Sequence, residues 1–119
     1  MRLYGIRVFV DDIAAARTFY EDTLGLRVTW DRGNAFGVDA GGAELVIEAA
    51  DDAARTAGLV GRFVGLSFSV DDVGERHRAL EAKGVGFTHD PKAEDWGGTI
   101  AHFLDPSGNV LTLVGPARF

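Results

Sequence analysis

The sequence predicts an α+β fold built from two βαβββ modules. Three observations carry that prediction. Val10-Asp11-Asp12-Ile13 recurs half a chain later as Val70-Asp71-Asp72-Val73. Each copy follows an alternating run: Ile6, Val8 and Val10 between Gly5, Arg7 and Phe9, then Leu66, Phe68 and Val70 between Gly65, Ser67 and Ser69. Period two marks a strand with one face on a core. Each copy also opens a helical stretch that stops at a glycine, Gly25 in the first and Gly84 in the second, where a positive φ ends the helix. A repeat at this spacing implies two similar supersecondary units.

The elements follow in order. Residues 3–10 form the first strand. Asp12 stands at an N-cap position, and a helix runs to about Leu24 with Ile13, Ala16, Tyr20 and Leu24 on one stripe. Residues 26–31, 35–39 and 43–49 read as strands, separated by Arg32-Gly33-Asn34 and Gly41-Gly42 turns. Module 1 therefore covers about residues 1–50. A small, polar linker occupies about 51–62, with a helical turn across Ala53–Thr56. Module 2 covers about 63–119: strand 64–70, a helix from Asp72 to about Lys83, strand 85–88, a loop over 89–98, strand 99–104, and strand 110–114. Asp105-Pro106-Ser107-Gly108 is a turn with Asp at i, Pro at i+1 and Gly at i+3. Each sheet buries one face under its helix, and the two remaining faces are left to enclose a pocket.

The 119 residues suffice for one domain, and 46% apolar content supplies its core. A net charge of −6 repels phosphate backbones and anionic membranes, so no nucleic-acid or membrane partner is expected. The absence of cysteine excludes disulfides, thiolate metal sites and a cysteine nucleophile. No apolar run approaches the roughly 20 residues of a membrane span, and no basic-then-apolar leader is visible. The expectation is a cytoplasmic protein. No glycine-rich phosphate loop is present, since the glycines fall at turns and helix ends.

Val10-Asp11-Asp12 through Phe19-Tyr20, Leu24-Gly25-Leu26, Val70-Asp71-Asp72, and Trp96-Gly97-Gly98 ahead of Phe103-Leu104-Asp105-Pro106-Ser107-Gly108-Asn109 together resemble the vicinal oxygen chelate superfamily. That superfamily includes glyoxalase I, bleomycin-resistance and fosfomycin-resistance proteins, extradiol dioxygenases and methylmalonyl-CoA epimerase. The resemblance spans nearly the whole chain. It implies a curved, mostly antiparallel mixed sheet around a concave cleft, helices on the outer face, and a homodimer. It also implies four metal-ligand positions. Two of them, five residues before the valine that precedes each module's helix, hold Gly5 and Gly65 here. The third, near the end of the first module's last strand, is Glu48. The fourth, seven residues after Asp105, is Thr112. A lone carboxylate does not hold a divalent ion against water. No metal and no other cofactor is therefore expected, with a divalent metal as the less favoured alternative.

Period two places Arg7, Phe9, Glu44, Val46, Glu48, Ser67, Ser69, Ile100, His102, Val110 and Thr112 on the pocket face with Gly5 and Gly65; Trp30, Phe36 and Trp96 flank it. Arg7, Phe9, Trp30, Phe36, Glu48, Ser67, Trp96, His102 and Thr112 are the candidate ligand-binding residues. Glu48 reads either as a carboxylate that meets a ligand donor or cation, or acts as a base, or as a leftover carboxylate paired with Arg7. His102 matches the place of a ligand-contacting tyrosine in the fosfomycin-resistance relatives; the other reading is a strand histidine satisfied by a neighbour. Glu48 and His102 are the two candidates for catalysis. His77 reads as a packing residue on a helix stripe, and His89 as a solvated loop residue. Three functions remain open: a metal-free protein that binds or sequesters a small aromatic or cationic compound; a lyase, isomerase or dioxygenase-type enzyme with a divergent metal or acid–base site; and a non-catalytic dimer module whose pocket is filled by its own side chains.

Overall fold

The computed structural model describes residues 1–116. The chain divides into two compact units, residues 1–62 with 106–109, and residues 63–105 with the segment from Val110 onward.

Unit 1 opens with β1 (Gly5–Val10), whose buried Val8 and Val10 alternate with exposed or half-buried Arg7 and Phe9. Asp12 then caps α1 (Ile13–Arg17), its carboxylate accepting the Ala15 N–H at 3.0 Å. The helical segment reaches Leu24 as expected, but it is not α-helical throughout. Thr18–Thr23 is a π-helical turn, closed by Leu24 N–H donating to the Phe19 carbonyl at 2.9 Å. The wider turn lets Phe19 and Tyr20, adjacent in sequence, both bury, edge to face with 5.2 Å between ring centroids. Strands β2 (Arg27–Asp31), β3 (Ala35–Asp39) and β4 (Glu44–Ala49) follow, and the sheet order is β1-β4-β3-β2 with β1 and β4 parallel. Val8, Val10, Phe36, Val38, Leu45 and Ile47, each at most 2% exposed, form the core on the helix side. Burying each contributes about 1.5–3 kcal/mol. A short α2 (Asp52–Thr56) is capped by Asp51. The Asp-Pro turn region belongs to this unit. Fully buried Asn109 accepts from Gly61 N–H at 2.9 Å and donates to the Phe9 carbonyl at 2.8 Å, and Ser107 Oγ accepts from Asp11 N–H at 2.9 Å.

Unit 2 repeats the plan: β5 (Phe63–Ser69), α3 (Val73–Ala82) capped by Asp72, β6 (Lys92–Ala93), β7 (Gly98–Leu104) and β8 (Val110–Pro116), in the order β5-β8-β7-β6. Val73, Leu80, Ala101, Phe103, Leu111 and Leu113 make its core. His77 is buried there, its ring edge on Phe87 at 4.3 Å. The strand expected over 85–88 is reduced to one bridge, Phe87 to Phe103, with Leu104 N–H donating to Gly86 and Thr88 N–H to His102. The regular partner of β7 sits further on, at Lys92–Ala93, inside the expected loop. Pro91 lies between the two pieces and offers no N–H to a ladder, which accounts for the break.

Candidate ligand site

The face of each sheet that turns away from its helix carries the polar and aromatic candidates. In unit 1, Arg7 and Glu48 form a two-point ion pair, Nε to Oε2 at 2.6 Å and Nη2 to Oε1 at 3.1 Å. The Glu48 hydrogen bond and charge raise the Arg7 guanidinium further above its ordinary range. The Arg7 guanidinium also lies 5.1 Å from the Phe9 ring centroid. Of the two readings of Glu48, pairing with Arg7 is the arrangement adopted. Trp30 lies on the same face. Its Nε1 donates to Glu44 Oε1 at 2.7 Å, and the same oxygen accepts from Thr29 at 2.9 Å. The indole occupies the space beside Gly37, where any Cβ would collide with it. Phe36 is corrected: it pairs with Ile47 in register, is 1% exposed, and belongs to the core on the opposite face. The strand phase explains the difference, because Gly37 rather than Phe36 shares a face with Glu44, Val46 and Glu48.

In unit 2, His102 is the centre of a ring cluster. Its Nδ1 lies 2.8 Å from Thr112 Oγ1 across β7 and β8. Thr112 is thereby buried. Phe63 stands edge-on to the His102 ring at 5.5 Å, and His89 does the same at 5.1 Å. Burial holds the His102 imidazole below the usual histidine range, neighbouring His89 adds to the effect, and Glu94 opposes it. Ser67 is exposed on β5, opposite Thr112 in register. Trp96 covers Gly98, where a Cβ would strike its ring, and is 62% exposed. Phe63 and His89 are the functional candidates that the pattern reading passed over. Phe63 had a signal, since it continues the Gly65–Ser67–Ser69 phase by two residues. His89 had none, because its place beside His102 depends on the path of a loop.

The four ligand positions implied by the resemblance do not fit a divalent ion. A Cβ at Gly5 would stand 2.6 Å from the Glu44 carbonyl oxygen. Gly65 has φ of 82° and sits where the pairing of β5 with β8 shifts register, a backbone that L side chains avoid. Thr112 Oγ1 is engaged by His102, and Glu48 by Arg7. Among the described residues, no three His, Cys, Asp or Glu side chains gather as a metal cage, and no helix is long and apolar enough to cross a membrane.

The family model for the glyoxalase/bleomycin resistance protein/dioxygenase superfamily matches residues 2–113. The uncharacterized protein YraH of Bacillus subtilis (strain 168) is 30% identical, over 95% of this chain and 97% of its own. A bleomycin resistance protein of Klebsiella pneumoniae is 35% identical over 52 residues, 38% of this chain and 41% of that protein. Among solved structures, TnmS3, an antibiotic binding protein from Streptomyces sp. CB03234, superposes with a TM-score of 0.80 at 30% identity, covering 98% of this chain and 97% of that one.

Proposed function

Because the chain belongs to the glyoxalase/bleomycin resistance protein/dioxygenase superfamily, we propose that it is a metal-free binding protein that takes up or sequesters a small aromatic or cationic compound. The observation that carries this reading is uncovered aromatic surface: Phe63 is 60% exposed beside His102, and Trp96 is 62% exposed on the same face of unit 2. Large rings left open next to a few polar groups suit a flat ligand better than water. The net charge of −6 supports the cationic option by attraction at a distance. Two relatives support binding as the activity, one described as a bleomycin resistance protein and one as an antibiotic binding protein. The closed backbone at Gly5 and Gly65 supports the metal-free part.

The test is a thermal-shift screen of planar aromatics and aromatic cations. A ligand at a hundred times its Kd stabilises by about 2.7 kcal/mol. A screen to millimolar concentration with no shift overturns the reading. Elemental analysis of protein purified without chelator checks the metal: about a tenth of an equivalent or less is expected, and a full equivalent of Zn, Ni, Mn or Fe would favour the lyase, isomerase or dioxygenase alternative. The reading also takes the protein as a cytoplasmic homodimer. Leu3 and Tyr4, 75% and 73% exposed ahead of β1, are apolar surface that a second copy would cover; light scattering on the eluted protein decides this.

A further inference from the structure

We propose that the cleft beside β7 in unit 2 receives an aromatic ligand by its phenolic hydroxyl, clasped between the ring nitrogens of His89 and His102. The inference rests on the binding reading above and narrows it to one ligand class. The cleft has a volume of about 570 Å³ and is lined by His89, Lys92, Glu94, Ile100 and His102, among others. That size is ample for a two-ring compound.

The hydrogen-bond partners already in place define what the two imidazoles offer. His89 Nδ1 is 2.6 Å from the Asp90 carbonyl oxygen, which can only accept. In the neutral imidazole the proton therefore sits on Nδ1, which leaves the Nε2 lone pair as an acceptor. His102 Nδ1 meets the Thr112 hydroxyl at 2.8 Å, which can donate to it. With Thr112 donating, His102 presents Nε2–H as a donor. One acceptor and one donor on rings 5.1 Å apart match a hydroxyl, which gives one hydrogen bond and takes another. Asp90, Lys92 and Glu94 line the same cleft with charges of both signs. Burial lowers the His102 pKa, which favours the neutral ring that this hydrogen bonding uses. Pro91 and Ile100 supply apolar surface in the cleft, and Phe63 stands edge-on to the His102 ring beside it, which suits an aromatic carrier for the hydroxyl better than a sugar or simple alcohol.

The experiment is an NMR titration of the whole chain with 2-naphthol, 2-methoxynaphthalene and 2-naphthoate. The expected result is 2-naphthol binding about tenfold tighter than its methyl ether, roughly threefold from each hydrogen bond, with shifts in the ring signals of both histidines. His89→Phe and His102→Phe are each expected to cut the preference about threefold. The double variant, checked for folding by its melting curve, should bind the two compounds alike. Equal binding of naphthol and ether by the unaltered chain, tightest binding of 2-naphthoate, or an unchanged ratio in the His89→Phe variant overturns the proposal and leaves the broader binding reading standing. If no naphthalene binds at millimolar concentration, this proposal falls, and the broader reading is decided by the thermal-shift screen.

Discussion

Replacing Gly65 by alanine isolates a backbone effect that decides whether the ligand positions of relatives are closed here by conformation or only by a missing side chain. Gly65 has φ of 82°, and the nearest atom to a Cβ built there is a Phe63 ring carbon at 3.8 Å. The methyl group therefore has room, and the cost is conformational, about 1–2 kcal/mol for an L residue in the left-handed region. Gly5 is the opposite case. Its φ is ordinary, but its Cβ would stand 2.6 Å from the Glu44 carbonyl oxygen, on a backbone that β1–β4 pairing holds in register. Forcing it costs about 1–3 kcal/mol, as for overpacked interiors. Against a total stability of about 5–15 kcal/mol, the pair is large. Thermal melting is the assay, and with roughly 4 °C per kcal/mol for a chain of this size, Gly65→Ala is expected to lower Tm by about 4–8 °C. The variant carrying Gly5→His, Gly65→His and Thr112→Glu is expected to melt lower still and to take up no stoichiometric zinc. An unchanged Tm for Gly65→Ala, or full zinc occupancy in the triple variant at the original Tm, refutes the reasoning.

Other outcomes follow from the same geometry. Asn109→Ala removes hydrogen bonds to Gly61 and Phe9 at a fully buried position, and denaturant titration should show a loss of about 2–4 kcal/mol. His102 titrates below its unfolded value, so the unfolded chain binds the proton more readily. Its contribution is whole above the unfolded histidine pKa and is lost as pH falls from there through the folded value. Urea midpoints should therefore drop on acidification across that window, and drop less in His102→Gln. Gly37→Ala places a methyl where the Trp30 indole and Glu44 carboxylate meet, and a crystal structure of the variant should show the Trp30–Glu44 hydrogen bond broken. Asp72→Ala removes the α3 cap and should cost about 1 kcal/mol in the same denaturant assay.

Most of the fold was legible because its signals are local. Alternation at residues 5–10 and 63–69, carboxylate caps at Asp12 and Asp72, and terminating glycines act within a few residues. What escaped depends on longer-range packing. The π-helical turn after Arg17 serves two adjacent rings, and helical spacing alone does not distinguish it from a continuous α-helix. Phe36 and Gly37 are neighbours on opposite faces, and only the pairing with β4 settles which of them faces the helix. The sixth strand moved because its hydrogen bonding is dictated by β7 and interrupted at Pro91, not by its own residues. In the site, the Arg7–Glu48 and His102–Thr112 pairs sit on adjacent strands and were within reach of a pattern argument. The placement of His89 beside His102 was not, because loop paths carry no period.

The chain has two tryptophans, one per unit, each laid over a glycine: Trp30 on Gly37 and Trp96 on Gly98. Nature has thus wired an optical probe into each half. Exchanging one indole at a time for phenylalanine yields two single-emitter proteins. Comparing their fluorescence melts would show whether the duplicated halves come apart together or in succession, with no dye attached.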